Sequence, residues 1–84
     1  MINALNDLVI EALFVSDLQP SEAPSAGTVE AAVTRMILEH GSDGCAAEVA
    51  AEFGDHPETA LPRMRWVRRT LTAITGALAV PQFT

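Results

Sequence analysis

The 84-residue sequence contains no lysine and no tyrosine, and it has a single cysteine and a single tryptophan. One cysteine cannot form a disulfide within the chain, which agrees with a reducing compartment. No apolar run approaches the ~20 residues that a membrane-spanning helix needs. The first residues also lack the basic start of a signal peptide. These absences together predict a soluble, cytoplasmic protein.

The sequence also lacks the residue patterns of catalysis and of metal binding. Its histidines, His40 and His56, are not spaced from Cys45 or from each other as zinc ligands are. It has no recognisable phosphate-binding glycine loop, pair of catalytic carboxylates or nucleophile with a nearby base. We therefore expect a non-enzymatic protein with no metal and no cofactor, in which Cys45 packs as a small apolar side chain.

Apolar residues recur at intervals of three and four in four segments, and no segment alternates as a strand does. A chain of this length forms one domain and buries only about 60% of its unfolded surface. We therefore predict a single all-α domain of four helices, packed as an orthogonal or irregular bundle. The predicted helices span residues 3–18, 26–40, 43–53 and 57–79.

Local signals mark several of these boundaries. Ser25 is expected to cap the second helix, and Gly41 is expected to follow its last turn. Asn3 and Asp55 are candidate N-caps of the first and last helices. Pro62 lacks an N–H group and disfavours helical conformation in the residue before it, so we expect a kink there after a short first turn.

Charge is divided unevenly along the chain. Residues 1–62 carry eleven acids and one arginine, a balance of −10, whereas residues 63–84 carry four arginines and no acid, a balance of +4. The sum is the net charge of −6. Such asymmetry can mark a binding surface. The alternative is that the arginines pair with acids of the other helices.

The last predicted helix separates an apolar face from an arginine face. At about 100° per residue, the apolar positions from Met64 to Leu78 fall on one side, and Arg65, Arg68 and Arg69 gather on the other. Arginine and tryptophan are frequent anchors of protein interfaces. We predict a partner-binding site for acidic groups of another protein, formed by Arg63, Arg65, Trp66, Arg68 and Arg69.

The first predicted helix is apolar nearly all the way round, which is typical of a helix buried on more than one side. A domain this small can hardly surround a whole helix. One expectation is that the linker over residues 19–27 and the tail residues Val80 and Phe83 cover the second side. The other, which we favour, is a helical homodimer with an interface that contains Ile10, Phe14 and Leu18.

A second interpretation of the arginine region is a helix-turn-helix DNA-binding motif over residues 46–66. Residues 49–54 resemble the first helix and turn of that motif, and residues 57–59 resemble the start of a recognition helix. Pro62 and Arg63 depart from the pattern, because one lies inside the recognition helix and the other takes a core position. The acidic chain is also poorly suited to a polyanion, so nucleic acid is the less favoured partner.

Three stretches of the sequence resemble segments of short helical proteins from high-GC actinomycetes. They are residues 12–21 (Ala-Leu-Phe-Val-Ser-Asp-Leu-Gln-Pro-Ser), residues 53–59 (Phe-Gly-Asp-His-Pro-Glu-Thr) and residues 63–66 (Arg-Met-Arg-Trp). The absence of lysine and the abundance of alanine suit a GC-rich genome. The resemblance covers much of the chain and implies an actinobacterial source, but it implies no activity, partner or cofactor.

Overall fold

The computed structural model describes the backbone of residues 4–78 and the side chains of residues 7–74. It contains three α-helices and a 3₁₀ turn at Pro20–Glu22. Because residues 4–78 include no strand, the all-α prediction is confirmed for this range. The four predicted helices are instead three, because the second and third belong to one helix. The α-helices are Ala4–Val15 (α1), Ala26–Asp55 (α2) and Pro57–Leu78 (α3).

The break that was expected between two helices is a kink inside α2. Gly41 has a φ of 71° and a ψ of 173°, outside the helical region, and glycine tolerates this φ because it has no Cβ. The chain is again helical directly after Gly41, so no linker separates the two parts. A Cβ added at Gly44 would lie 3.0 Å from the Cβ of His40, which shows how closely the chain approaches itself at this kink.

The start of α2 is capped as predicted. The Ser25 side chain accepts a hydrogen bond of 3.2 Å from the backbone N–H of Thr28. This bond satisfies one of the N–H groups that have no partner within the first turn. The 3₁₀ turn before it lies within the segment that the sequence assigned to a linker.

The junction between α2 and α3 differs from the prediction. A single residue, His56, separates the helices, and its N–H donates to the Glu52 carbonyl at 2.7 Å while its carbonyl accepts from the Ala60 N–H at 2.9 Å. Asp55 is therefore the last residue of α2, and its predicted role as the N-cap of α3 is wrong. α3 runs through Pro62 without a break, so the short first turn and the regular helix predicted after it belong to one helix.

All three helices contribute to one apolar core. Leu13, Cys45 and Val67 are fully buried, one from each helix, and full burial of a Val or Leu side chain contributes about 1.5–3 kcal/mol. The apolar face predicted for α3 is thus confirmed over its described side chains. The buried apolar residues are Ala12, Leu13, Phe14, Val29, Ala32, Val33, Met36, Cys45, Ala60, Trp66 and Val67.

Several predictions concern residues at the chain ends. Asn3, Val80 and Phe83, for which a capping role and a covering role were predicted, lie outside the described residues. Between residues 4 and 78, none of the helices combines the length and the apolar character that crossing a bilayer requires.

Candidate functional site

The four arginines of α3 lie in two different environments. Arg63 is partly buried, whereas Arg65, Arg68 and Arg69 are exposed. The cause is the helical rotation, since two residues turn the side chain by about 200°. We call Arg65, Arg68 and Arg69 together the arginine surface.

Arg63 binds the C-terminal end of α1 through backbone carbonyls. Its Nε donates to the Phe14 carbonyl at 3.0 Å, and its Nη1 donates to the Leu18 carbonyl at 2.7 Å. Its Nη2 donates to the Ser16 carbonyl at 2.8 Å and to the Leu13 carbonyl at 3.4 Å. The last carbonyls of a helix have no partner within it, and a cation there also complements the helix dipole. Arg63 therefore caps α1 from another helix.

Trp66 holds the same guanidinium from a second side. The Arg63 Cζ lies 4.9 Å from the centroid of the Trp66 ring, within the range of a cation–π contact. Burial lowers the pKa of Arg63 from its ordinary value, yet a guanidinium remains charged at any physiological pH. Trp66 is 8% exposed. Both residues were predicted to contact a partner, but the structure directs them towards the interior of the chain.

The arginine surface has no acidic partner among the described side chains. The ion pairs within residues 7–74 belong to Arg35, which lies 3.3 Å from Asp17 and 3.9 Å from Glu39. The alternative that the arginines of α3 pair with acids of the other helices therefore finds no support over this range.

Apolar and small polar side chains extend the same side of α3. Leu61 is 46% exposed and lies one turn before Arg65, and Thr72 is exposed one turn after Arg68. At 1.5 Å per residue, the row from Leu61 to Thr72 is about 16 Å long. The exposed side of α3 is thus a basic strip with an apolar residue near one end.

A cleft of about 290 Å³ lies beside Arg63, where α1 ends. Phe14 and Ser16 of α1, Glu48 and Glu52 of α2, and Ala60 of α3 are among its lining residues. Both glutamates are exposed. The two glutamates give one wall of the cleft a negative charge, and Arg63, which also lines the cleft, contributes a positive charge.

The residues predicted for a dimer interface pack within their own chain. Phe14 is 5% exposed and its ring stacks on Phe53 of α2, with centroids 5.9 Å apart and planes 24° apart. Ile10 and Leu18 are partly buried against the same core. Phe14 therefore has little surface to offer a second copy.

The packing side of the second part of α2 is indicated by the sequence, because apolar residues recur there at intervals of four, at Cys45, Val49 and Phe53.

The helix-turn-helix interpretation fits the geometry poorly. In that motif a turn of three to four residues joins the helices, whereas His56 alone joins α2 and α3. Recognition helices read bases with their N-terminal residues, but the exposed arginines begin at the ninth residue of α3, and Glu58 is exposed in its first turn.

Cys45 has the packing role that the sequence predicts. It is fully buried, and its thiol donates a hydrogen bond to the Met36 carbonyl at a distance of 3.8 Å. Burial raises the pKa of the Cys45 thiol, and the charges of Glu11 and Glu48 raise it further. Among the described residues, no three His, Cys, Asp or Glu side chains are grouped so that they could hold a metal ion.

No family model, curated protein or solved structure matches this chain. The feature that stands out is the arginine surface, because its three cations are exposed on a helix of an otherwise acidic chain.

Proposed function

We propose that this chain is a non-enzymatic interaction module and that the arginine surface binds an acidic surface of a protein partner. The observation that carries the proposal is the exposure of Arg65, Arg68 and Arg69 without an acidic partner among residues 7–74. Like charges within one turn repel each other by a few tenths of a kcal/mol per pair. Carboxylates of a partner relieve this repulsion and match the guanidinium fork with two hydrogen bonds each.

The opposite side of α3 supports this role by fixing the helix in place. Val67 is fully buried, Trp66 is nearly so, and Arg63 joins α3 to the end of α1. A surface on a fixed helix loses little conformational freedom on binding, so more of the interaction energy contributes to affinity. Arg63 and Trp66 therefore act in this proposal as positioning residues, and the arginine surface makes the contact.

A direct test measures the binding of a fluorescent glutamate-rich helical peptide by anisotropy. The variants Arg65→Gln, Arg68→Gln and Arg69→Gln each remove one charge from the arginine surface. Arg35→Gln is the matched control, because it removes the same charge from an arginine that already has two acidic neighbours. Each of the three variants is expected to weaken the peptide by up to about fivefold, the range of an exposed ion pair. The control is expected to leave the affinity unchanged.

A short DNA duplex in the same assay tests the competing partner. The net charge of −6 opposes a polyanion, and every phosphate contact adds to the salt dependence of binding. We expect weaker binding to the duplex than to the peptide. Tighter binding to the duplex, lost in the same three variants, would replace the protein partner by nucleic acid. If none of the three substitutions changes the affinity for the peptide, the arginine surface is not the binding site.

A further inference from the structure

We infer that the acidic surface bound by the arginine surface belongs to a second copy of this chain. Its acidic strip, which we define as Glu48, Glu52 and Asp55, lies on the second part of α2. The inference rests on the proposed function of the arginine surface and names its partner. It also moves self-association away from the first helix, where Phe14 is buried within its own chain.

The acidic strip is as free as the arginine surface. Glu48, Glu52 and Asp55 are exposed, and among the described side chains none of them forms an ion pair. Residues spaced by four and three lie on one side of a helix. Over about 10 Å of α2, the chain therefore presents three carboxylates to solvent.

The two surfaces match in spacing. Glu48 and Glu52 are four residues apart, as are Arg65 and Arg69. Each pair spans about 6 Å along its helix, so both ion pairs can form when two such helices lie side by side. Between and beside the glutamates, the exposed residues of α2 are the small ones, Ala47, Ala50 and Ala51, whereas Val49 and Phe53 are partly buried. The exposed neighbours of the glutamates therefore leave space for the long arginine side chains of a second copy.

The chain leaves both surfaces unpaired although its two helices are adjacent. His56 alone connects α2 to α3, yet the arginines and the carboxylates do not meet within one molecule. Each surface can instead pair with the opposite surface of a second molecule. In a twofold arrangement each copy places its arginine surface on the acidic strip of the other, so the contact forms twice.

Sedimentation velocity with charge reversals tests this pairing. One variant carries Arg65→Glu with Arg69→Glu, and the other carries Glu48→Arg with Glu52→Arg. When two molecules of the same variant meet, like charges face each other at both contacts. Either variant alone is therefore expected to be monomeric under conditions where the wild type associates. An equimolar mixture restores opposite charges at both contacts and is expected to associate again. High salt is expected to shift the wild type towards monomer, because it screens exposed charges.

Control variants separate this pairing from a general charge effect. Arg35→Glu and Glu30→Arg change exposed residues outside both surfaces, so both are expected to associate as the wild type does. A mixture of the arginine-reversed variant with Glu30→Arg keeps one attractive contact and makes the other repulsive, so it is expected to form less heterodimer than the mixture of the two reversed variants. Circular dichroism checks that every variant is helical, and the milder Arg→Gln and Glu→Gln changes at the same positions replace any variant that is not.

The outcomes distinguish this inference from the proposed function. A wild type that stays monomeric at every concentration and salt, or variants that associate as it does, would overturn the second copy as the partner. If the peptide assay still depends on Arg65, Arg68 and Arg69 in that case, the arginine surface keeps its proposed function with a different acidic protein. If the mixture fails to associate while each variant alone is monomeric, the acidic strip is not the contact and the inference also fails.

Discussion

Arginine has different roles on the two sides of α3. Arg63 donates to four backbone carbonyls at the end of α1 and contacts the Trp66 ring. Two residues later, Arg65 is exposed and has no acidic partner among the described side chains. A cluster of arginines in the sequence is therefore not one surface of the folded chain. Position around the helix decides which cation stabilises the fold and which remains free to bind.

The same substitution to methionine at Arg63 and at Arg65 is expected to change the free energy of unfolding by different amounts. Arg63→Met keeps most of the length and volume of the side chain but removes every donor. Hydrogen bonds to a charged group contribute about 1.5–3 kcal/mol each, and less where water reaches them. Because Arg63 is only partly buried, we expect the free energy of unfolding to fall by about 2–4 kcal/mol. Urea denaturation followed by Trp66 fluorescence and circular dichroism measures this loss.

The matched control is Arg65→Met, which removes an exposed cation and is expected to change stability by less than about 0.5 kcal/mol. Arg63→Lys keeps the charge but not the planar fork, so its stability is expected to lie between those of the wild type and Arg63→Met. Equal losses for Arg63→Met and Arg65→Met would contradict the distinction between the two sides.

The two sides differ also in how far the sequence could predict them. The rotation of α3 is a local property, so residue spacing alone placed Val67 in the core and Arg65 on the surface. The role of Arg63 is not local, because it joins residues 49 positions apart. One signal was present, since Arg63 lies three residues after Ala60 and three before Trp66, on the side that packs. Which carbonyls it would meet depends on where α1 ends in space, and no spacing rule specifies that.

The same limit explains the prediction for the first helix. Spacing showed correctly that α1 is apolar on more than one side, but it could not show what covers Phe14. Phe53 does so from the second part of α2. Positive φ at Gly41 was predictable from the glycine, whereas the direction of α2 after the kink was not. The sequence therefore assigned Phe14 to an interface with a second copy, although its ring packs on Phe53 within the chain.

The contact between Trp66 and Arg63 predicts a smaller effect on the packed side. Trp66→Phe keeps an aromatic ring but weakens the cation–π contact and leaves a gap in the core. We expect a loss of about 1–2 kcal/mol, since a partly desolvated cation–π contact contributes about 0.5–2 kcal/mol and the gap adds to it. Thermal unfolding by circular dichroism measures the loss, because the variant has no tryptophan to follow.

A double-mutant cycle with Arg63→Met sharpens this test. If the ring and the guanidinium stabilise each other, Trp66→Phe costs less in the Arg63→Met background than in the wild type. Strict additivity of the two changes would show that Trp66 contributes by packing alone.

The smallest effect on stability is expected on the exposed side of α3. Arg65→Glu with Arg69→Glu replaces the repulsion between positions 65 and 68 by an attraction, whereas the two new carboxylates repel each other across one turn as the two arginines did. Each of these contributions is worth a few tenths of a kcal/mol. The free energy of unfolding should therefore stay within about 0.5 kcal/mol of the wild type or rise slightly. Because association alone would stabilise the wild type, unfolding is measured at high salt and low protein concentration, where the chain is expected to be monomeric. Arg35→Glu is the comparison, since it breaks contacts with Asp17 and Glu39 and should lower stability by up to about 1 kcal/mol. A double variant that loses more than Arg35→Glu would show that Arg65 and Arg69 stabilise the fold as Arg63 does, and the two sides of α3 would then no longer divide into a structural and a binding surface.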